Sequence, residues 1–155
     1  MTLILSKKYN PLFESKARYF IITGGRGSGK SFAVTVFLTL LTMSRGIRVL
    51  FTRFTMTSAH LSIIPEFLEK IGLLGFDETF NINKSEVVNA KNKSDILFRG
   101  IKTSAGNQTA SLKSLQGIST WVLDEAEELV DENIFDTIDL SIREKKVQNR
   151  IILVL

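Results

Sequence analysis

Eight residues, Gly24-Gly25-Arg26-Gly27-Ser28-Gly29-Lys30-Ser31, constrain the fold of this chain more than any other stretch. They match the pattern Gly-x-x-x-x-Gly-Lys-Ser/Thr, in which glycines let the backbone curl and turn successive N–H groups inward on phosphate oxygens. Such a loop works only between a strand and a helix, whose N-terminal dipole end adds attraction for an anion. The flanks agree. Tyr19 to Thr23 is short, apolar and β-prone, and Lys30 to Met43 has helical periodicity. In that helix Val34, Phe37, Leu38 and Leu41 make one stripe while Phe32, Val36 and Leu40 cover the rest, so it is expected to be buried on nearly all sides. With glycine at roughly 7% of residues, a chance match to the loop pattern comes about once in a few hundred such chains.

Lys30 is expected to reach the β- and γ-phosphates of a nucleotide and the Ser31 hydroxyl to ligate Mg²⁺, with Gly25, Arg26, Gly27, Ser28 and Gly29 forming the cradle. Arg26 stands inside the cradle, where a guanidinium can lean over the γ-phosphate, although an ordinary surface arginine is the plainer reading.

Composition removes several other classes. A chain of 155 residues is one ordinary domain, able to bury roughly 68–70% of its unfolded surface. Without cysteine it has no disulfide framework, no thiolate zinc site and no cysteine nucleophile, which fits a reducing, intracellular setting. The apolar run Phe32 to Met43 is too short to span a bilayer and the N-terminus lacks signal-peptide features, so no membrane association is expected. A net charge of +4 is compatible with a polyanionic partner and too small to demonstrate one.

Apolar runs alternate with helical periodicity along the chain, the pattern of an α/β domain with a mostly parallel sheet. Ile47 to Arg53 reads as a second strand, and Ser58 to Ile71 as a helix kinked or split at Pro65, with Leu61, Ile64, Leu68 and Ile71 on its apolar stripe. Two similar turn signals, Asn83 to Glu86 and Asn92 to Asp95, bracket short strands and predict an antiparallel meander around residues 79–101. Lys102 to Gly117 reads as a long functional loop, Ile118 to Leu123 as a strand, and Asp131 or Glu132 to Ile142 as an amphipathic helix. The closing run Ile151 to Leu155 looks like a buried strand, and is expected to be either a late edge strand or the front part of something longer.

The strand Trp121-Val122-Leu123-Asp124-Glu125 ends in adjacent carboxylates at the strand end where open α/β sheets bind ligands. Given the loop, Asp124 is expected to join Ser31 in holding Mg²⁺, and Glu125 to orient and deprotonate an attacking water. About two strand–helix units separate the two motifs, which predicts the additional-strand, RecA-like type of P-loop NTPase, a three-layer sandwich. Glu127 and Glu128 read as solvated or helix-start residues. Arg53 reads as a strand-end charge or a contact to nucleic acid or a neighbouring loop, Arg143 as a helix-closing residue or an arginine finger or sensor, and His60 as a single histidine with no Cys or His partner near it for a metal.

In order along the chain, the Gly-rich loop, the Thr52-Arg53 strand end, Phe98 to Ile101, Leu112 to Ile118 and Trp121 to Leu129 resemble the N-terminal ATPase half of the large terminase subunit of tailed bacteriophages. That resemblance implies an ATPase that uses ATP and Mg²⁺ to drive double-stranded DNA into a prohead, working as a ring with portal protein and small terminase subunit in the bacterial cytoplasm. It implies Lys30 and Ser31 as nucleotide and metal ligands, Arg26 as the loop arginine acting on the γ-phosphate, Asp124 as the metal-site acid and Glu125 as the catalytic one. Tyr9, Asn10 and Pro11 fall where that family approaches the adenine. Residues 1–155 then form one P-loop ATPase domain, expected to be monomeric as a fragment and cut before the family's coupling motif and nuclease domain. The rivals are a helicase or recombination ATPase of the same fold and a nucleotide-binding assembly module without turnover; a small-molecule kinase fits less well, for want of an Arg-rich lid.

Overall fold

The alternation of side chains along each strand divides the apolar residues of this chain between two cores, one on each face of a single sheet. The computed structural model describes residues 2–56, 61–103, 106–107, 112 and 115–155. A short 3₁₀ turn, Lys7–Tyr9, leads into α1 (Asn10–Glu14), followed by β1 (Tyr19–Ile22), α2 (Lys30–Leu41), β2 (Arg48–Thr55) and α3 (Ile63–Leu73). Then come β3 (Phe80–Ile82), β4 (Glu86–Asn89), β5 (Asp95–Thr103), β6 (Gly106–Asn107), β7 (Thr120–Asp124), a 3₁₀ turn at Ala126–Glu128, α4 (Glu132–Asp139) and β8 (Arg150–Val154).

The sheet runs in the order β1-β8-β7-β2-β5-β4-β3, with β6 paired to β5. From β1 through β5 every neighbouring pair is parallel, and β3, β4 and β5 form the expected meander. Its last strand is also a full member of the parallel region, which explains why β5 is long and why Ile96, Leu97 and Phe98 are all buried. β8 lies between β1 and β7, so the closing run is not a late edge strand but the added strand separating the two motifs. Ile151 and Ile152 have no exposed surface, as residues of a strand covered on both faces should. β1 forms an edge of the sheet and leaves Tyr19 and Ile21 exposed.

On one face Val49 and Phe51 of β2, Val122 of β7 and Ile152 and Val154 of β8 pack with α2 and α3, where Phe51, Phe67 and Phe98 meet ring to ring at 5.2–5.8 Å between centroids. On the other face Leu50, Trp121, Leu123 and Ile151 pack with Ile134, Ile138 and Ile142 in and after α4. The fully buried Trp121 donates its indole N–H to Thr52 Oγ1 at 2.9 Å, and Thr52 donates to the Val122 carbonyl at 3.0 Å, so the polar atoms this core swallows are satisfied.

Three local readings need correction. Pro65 does not kink or split α3, which begins at Ile63 and so holds Pro65 in its first turn, where a backbone N–H has no helical partner to lose; the start of the expected helix, residues 58–60, lies outside the described residues. Its buried stripe is Ile63, Ile64, Phe67 and Ile71, while Leu61 and Leu68 are exposed, and His60 lies outside the described residues. Of the segment Lys102 to Gly117, expected as one long loop, Lys102 and Thr103 belong to β5, β6 folds back on them and Leu112 enters the second core, while residues 104–105, 108–111 and 113–114 lie outside the described residues. The late helix is shorter than expected. Asp131 caps it by accepting from Asn133 and Ile134 N–H groups, but it stops at Asp139, which leaves Arg143 exposed and beyond its end.

At Gly100, opposite Arg53 in the register, a Cβ would lie 3.0 Å from the Met56 nitrogen and 3.1 Å from the Met56 oxygen. Gly100→Ala is expected to destabilise the chain by about 1–3 kcal/mol in denaturant unfolding; an unchanged midpoint would mean that the Met56 backbone yields freely.

Candidate functional site

One rung of the sheet collects the carboxyl ends of the parallel strands: Ile22 pairs with Val154, Val154 with Asp124, and Asp124 with Arg53. The Gly-rich loop leaves β1 at this edge and enters α2. Gly27 and Gly29 take φ of 79° and 84°, a region that a side chain disfavours. A Cβ at Gly24 would meet Ser28 Oγ at 2.9 Å, whereas Gly25 and Gly27 face open space on the side where a Cβ would stand. Gly29 caps α2 without a side-chain bond, leaving the helix's first N–H groups directed at the cleft. Ser28 Oγ is buried and lacks a hydrogen-bond partner.

The loop is held from two directions. Tyr9 Oη and Lys8 Nζ both donate to the Ser28 carbonyl, at 2.9 and 3.1 Å. The Lys30 ammonium donates to the carbonyls of Gly24 and Gly25, so its charge spans the mouth of the loop.

Across the cleft stands the acidic pair. The alternation that sends Trp121 and Leu123 into the second core turns Asp124 toward α2, where it and Ser31 bound a void of about 10 Å³. Asp124 is 7% exposed. Arg53 neutralises it, with Nε and one terminal nitrogen each 2.8 Å from Asp124 Oδ2. Glu125 departs at φ 54°, a left-handed conformation costly for a residue with a Cβ, and this sharp exit leaves its side chain exposed at the cleft.

The cleft measures about 540 Å³, with Gly24 to Ser31 forming one wall, Arg53, Asp124, Glu125 and Glu127 the other, and Val154 and Leu155 closing the base. Every residue expected in the cradle and the acidic pair therefore lines one cavity. Arg143 does not line it. Glu127, read as solvated or helix-starting, is exposed in the 3₁₀ turn Ala126–Glu128 and also lines the cleft, and Arg53 joins the acidic pair instead of standing apart as a strand-end charge. Its place was hidden because only the β2–β7 register tells which strand end faces Asp124. Tyr9 and Pro11 line a second cavity of about 420 Å³ beside the loop, together with Lys8 and Thr23, whereas the exposed Asn10 does not.

A parallel sheet with a Gly-rich loop after β1, an acidic pair at the end of β7 and β8 between them is the architecture of an additional-strand P-loop NTPase. The family model described as phage terminase large subunit matches residues 16–155, and the chain belongs to that family. No curated protein matches. Among solved structures, a large terminase from a thermophilic bacteriophage aligns at TM-score 0.74 and 11% identity, covering 98% of this chain and 39% of that one. The HK97 bacteriophage large terminase aligns at TM-score 0.73 and 10% identity, covering 98% and 33%. The N-terminal domain of the DNA packaging ATPase from bacteriophage phi29 aligns at TM-score 0.68 and 15% identity, covering 99% and 79%. The thermophilic phage's terminase has also been solved with ADP and with ATP-gamma-S. This chain thus spans well under half the length of the two large terminases.

Tyr9→Phe removes one of the two side-chain bonds to the Ser28 carbonyl. It is expected to lower stability by about 0.5–1.5 kcal/mol and to speed amide exchange within residues 24–29; unchanged exchange there would show that Tyr9 does not hold the loop.

Proposed function

We propose that this chain is the ATP-binding and ATP-hydrolysing domain of a terminase large subunit, the part that powers DNA packaging. The observation that carries the reading is the single cleft in which Lys30 and Ser31 face Asp124 and Glu125. The nucleotide complexes of the thermophilic-phage relative support it.

In this reading the loop N–H groups of Gly25 to Lys30 and the first turn of α2 bind the β- and γ-phosphates. Lys30 exchanges the carbonyls of Gly24 and Gly25 for phosphate oxygens, a stronger charge-assisted bond. Arg26, exposed on the loop wall, meets charge developing on the γ-phosphate. Glu125, exposed where it lines the cleft, takes the proton of the attacking water. Tyr9 and Pro11 border the neighbouring cavity, which suits the adenine ring.

The residues also fit a Mg²⁺ ion: a hydroxyl and a buried carboxylate bound one small void, both hard oxygen donors of the kind Mg²⁺ takes in phosphate sites. Ser31 and Asp124 would hold it. The ion, when bound, neutralises phosphate charge and fixes the triphosphate's orientation.

Family membership extends the proposal to the surroundings. Double-stranded DNA is the track, portal protein and small terminase subunit are the partners, copies of the subunit form a ring, and the work is done in the cytoplasm of the bacterial host. No helix among the described residues is long and apolar enough to cross a membrane.

Lys30→Ala is expected to weaken binding of a fluorescent ATP analogue by roughly a hundredfold, the equivalent of about 3 kcal/mol for a lost charged contact. Unchanged affinity would remove the cradle assignment. Glu125→Gln is expected to keep that affinity while phosphate release, measured with DNA present, falls by about 10²–10⁴-fold; undiminished release would place the base elsewhere.

A further inference from the structure

Arg53 walls the cleft, yet the phosphate cradle and the acidic pair leave it without a task beyond its contact with Asp124. It stands on β2, directly opposite Asp124 in the parallel register with β7. Its Nε and terminal-nitrogen contacts with Asp124 fall on the same oxygen, Oδ2, at 2.8 Å, and the two side chains are 20% and 10% exposed. β2 turns Phe51 and Arg53 toward α2 as β7 turns Val122 and Asp124, so the pair sits on the Ser31 side of the sheet. Gly100, packed under the Met56 backbone, lies on the same rung.

A carboxylate this shielded is costly to leave bare, and a guanidinium is the cation best suited to hold it. On the function proposed above, on which this inference rests, the same carboxylate must take a divalent cation. A full guanidinium charge and a divalent ion cannot both press on it without repulsion. We infer that Arg53 is the resident counterion of Asp124 in the metal-free state and hands the carboxylate over when the divalent cation arrives, its guanidinium then facing the phosphate side of the cleft it already lines. Arg53 is thus a positioning residue. It masks Asp124 from an incoming polyphosphate until metal is present, and it keeps positive charge at the end of β2 afterwards.

The test is a charge-removal rescue read by equilibrium binding of a fluorescent ATP analogue, once with EDTA and once with Mg²⁺. Arg53→Gln is expected to lose about tenfold or more in affinity with EDTA, because the phosphates then meet an unmasked carboxylate, and to come within about threefold of the parent with Mg²⁺. Adding Asp124→Asn to Arg53→Gln is expected to restore the metal-free affinity, since no charge is left to mask. Arg53→Lys keeps the charge and should keep most of the metal-free affinity. Melting curves without nucleotide guard against a folding artefact: Arg53→Gln should melt lower and the double variant should recover. Equal losses with and without Mg²⁺, or no rescue by Asp124→Asn in either readout, would overturn the inference while leaving the proposed function standing. A parent chain that binds no nucleotide in either condition would overturn the proposed function, and this inference with it.

Discussion

The parallel hydrogen-bond ladder from β1 through β8 to β7 is what the rest of the site depends on. The loop follows β1 and the acidic pair ends β7, and the two strands are not paired with each other. Their distance and their relative height are set by β8, whose Val154 pairs with Ile22 on one side and Asp124 on the other. A slip of one residue in either ladder would reverse which face every side chain of the slipped strand addresses, turning Asp124 away from Ser31. The apolar content of β8, covered on both faces, resists such a slip, since it would move buried side chains between two cores that are already full.

Around that frame the electrostatics are arranged in opposition. Lys30, Arg26 and the α2 N-terminus make the loop wall positive, while Asp124, Glu125 and Glu127 make the facing wall negative. A polyphosphate alone would be drawn to the first wall and repelled by the second. A phosphate chain carrying a divalent cation satisfies both. Arg53 is placed at the boundary, where its charge tips that balance.

Much of this was legible in the amino-acid order because the loop pattern states its own context. A Gly-rich turn with lysine and serine needs a strand before it and a helix after it, and both were visible as short apolar and long periodic runs. The acidic strand was readable once the loop was accepted. What could not be read depends on register or on tertiary competition. Arg53 looked like any strand-end charge until β2 was laid beside β7. Leu61 and Leu68 had the spacing of a buried stripe, but Ile63 and Phe67 took the sheet-facing side of α3, a choice made by the space above Phe51 and Phe98. Pro65 looked like a kink because its place in the first turn depends on α3 starting at Ile63, which the apolar spacing does not mark. The strand at Ile151 to Leu155 was recognised, whereas its position between β1 and β7 followed only from the fold.

The outer margin of β1 bears on how the molecule behaves in solution. Tyr19 and Ile21 are exposed there, on an edge strand with no neighbour on its far side among the described residues. A row of backbone donors and acceptors flanked by apolar side chains is a template for an extended segment, whether contributed by the same polypeptide or by a second copy. Unless that margin is covered, concentrated preparations are prone to join edge to edge, and solubility would then be decided at a strand remote from the acidic wall, though joined through the loop to the nucleotide cleft.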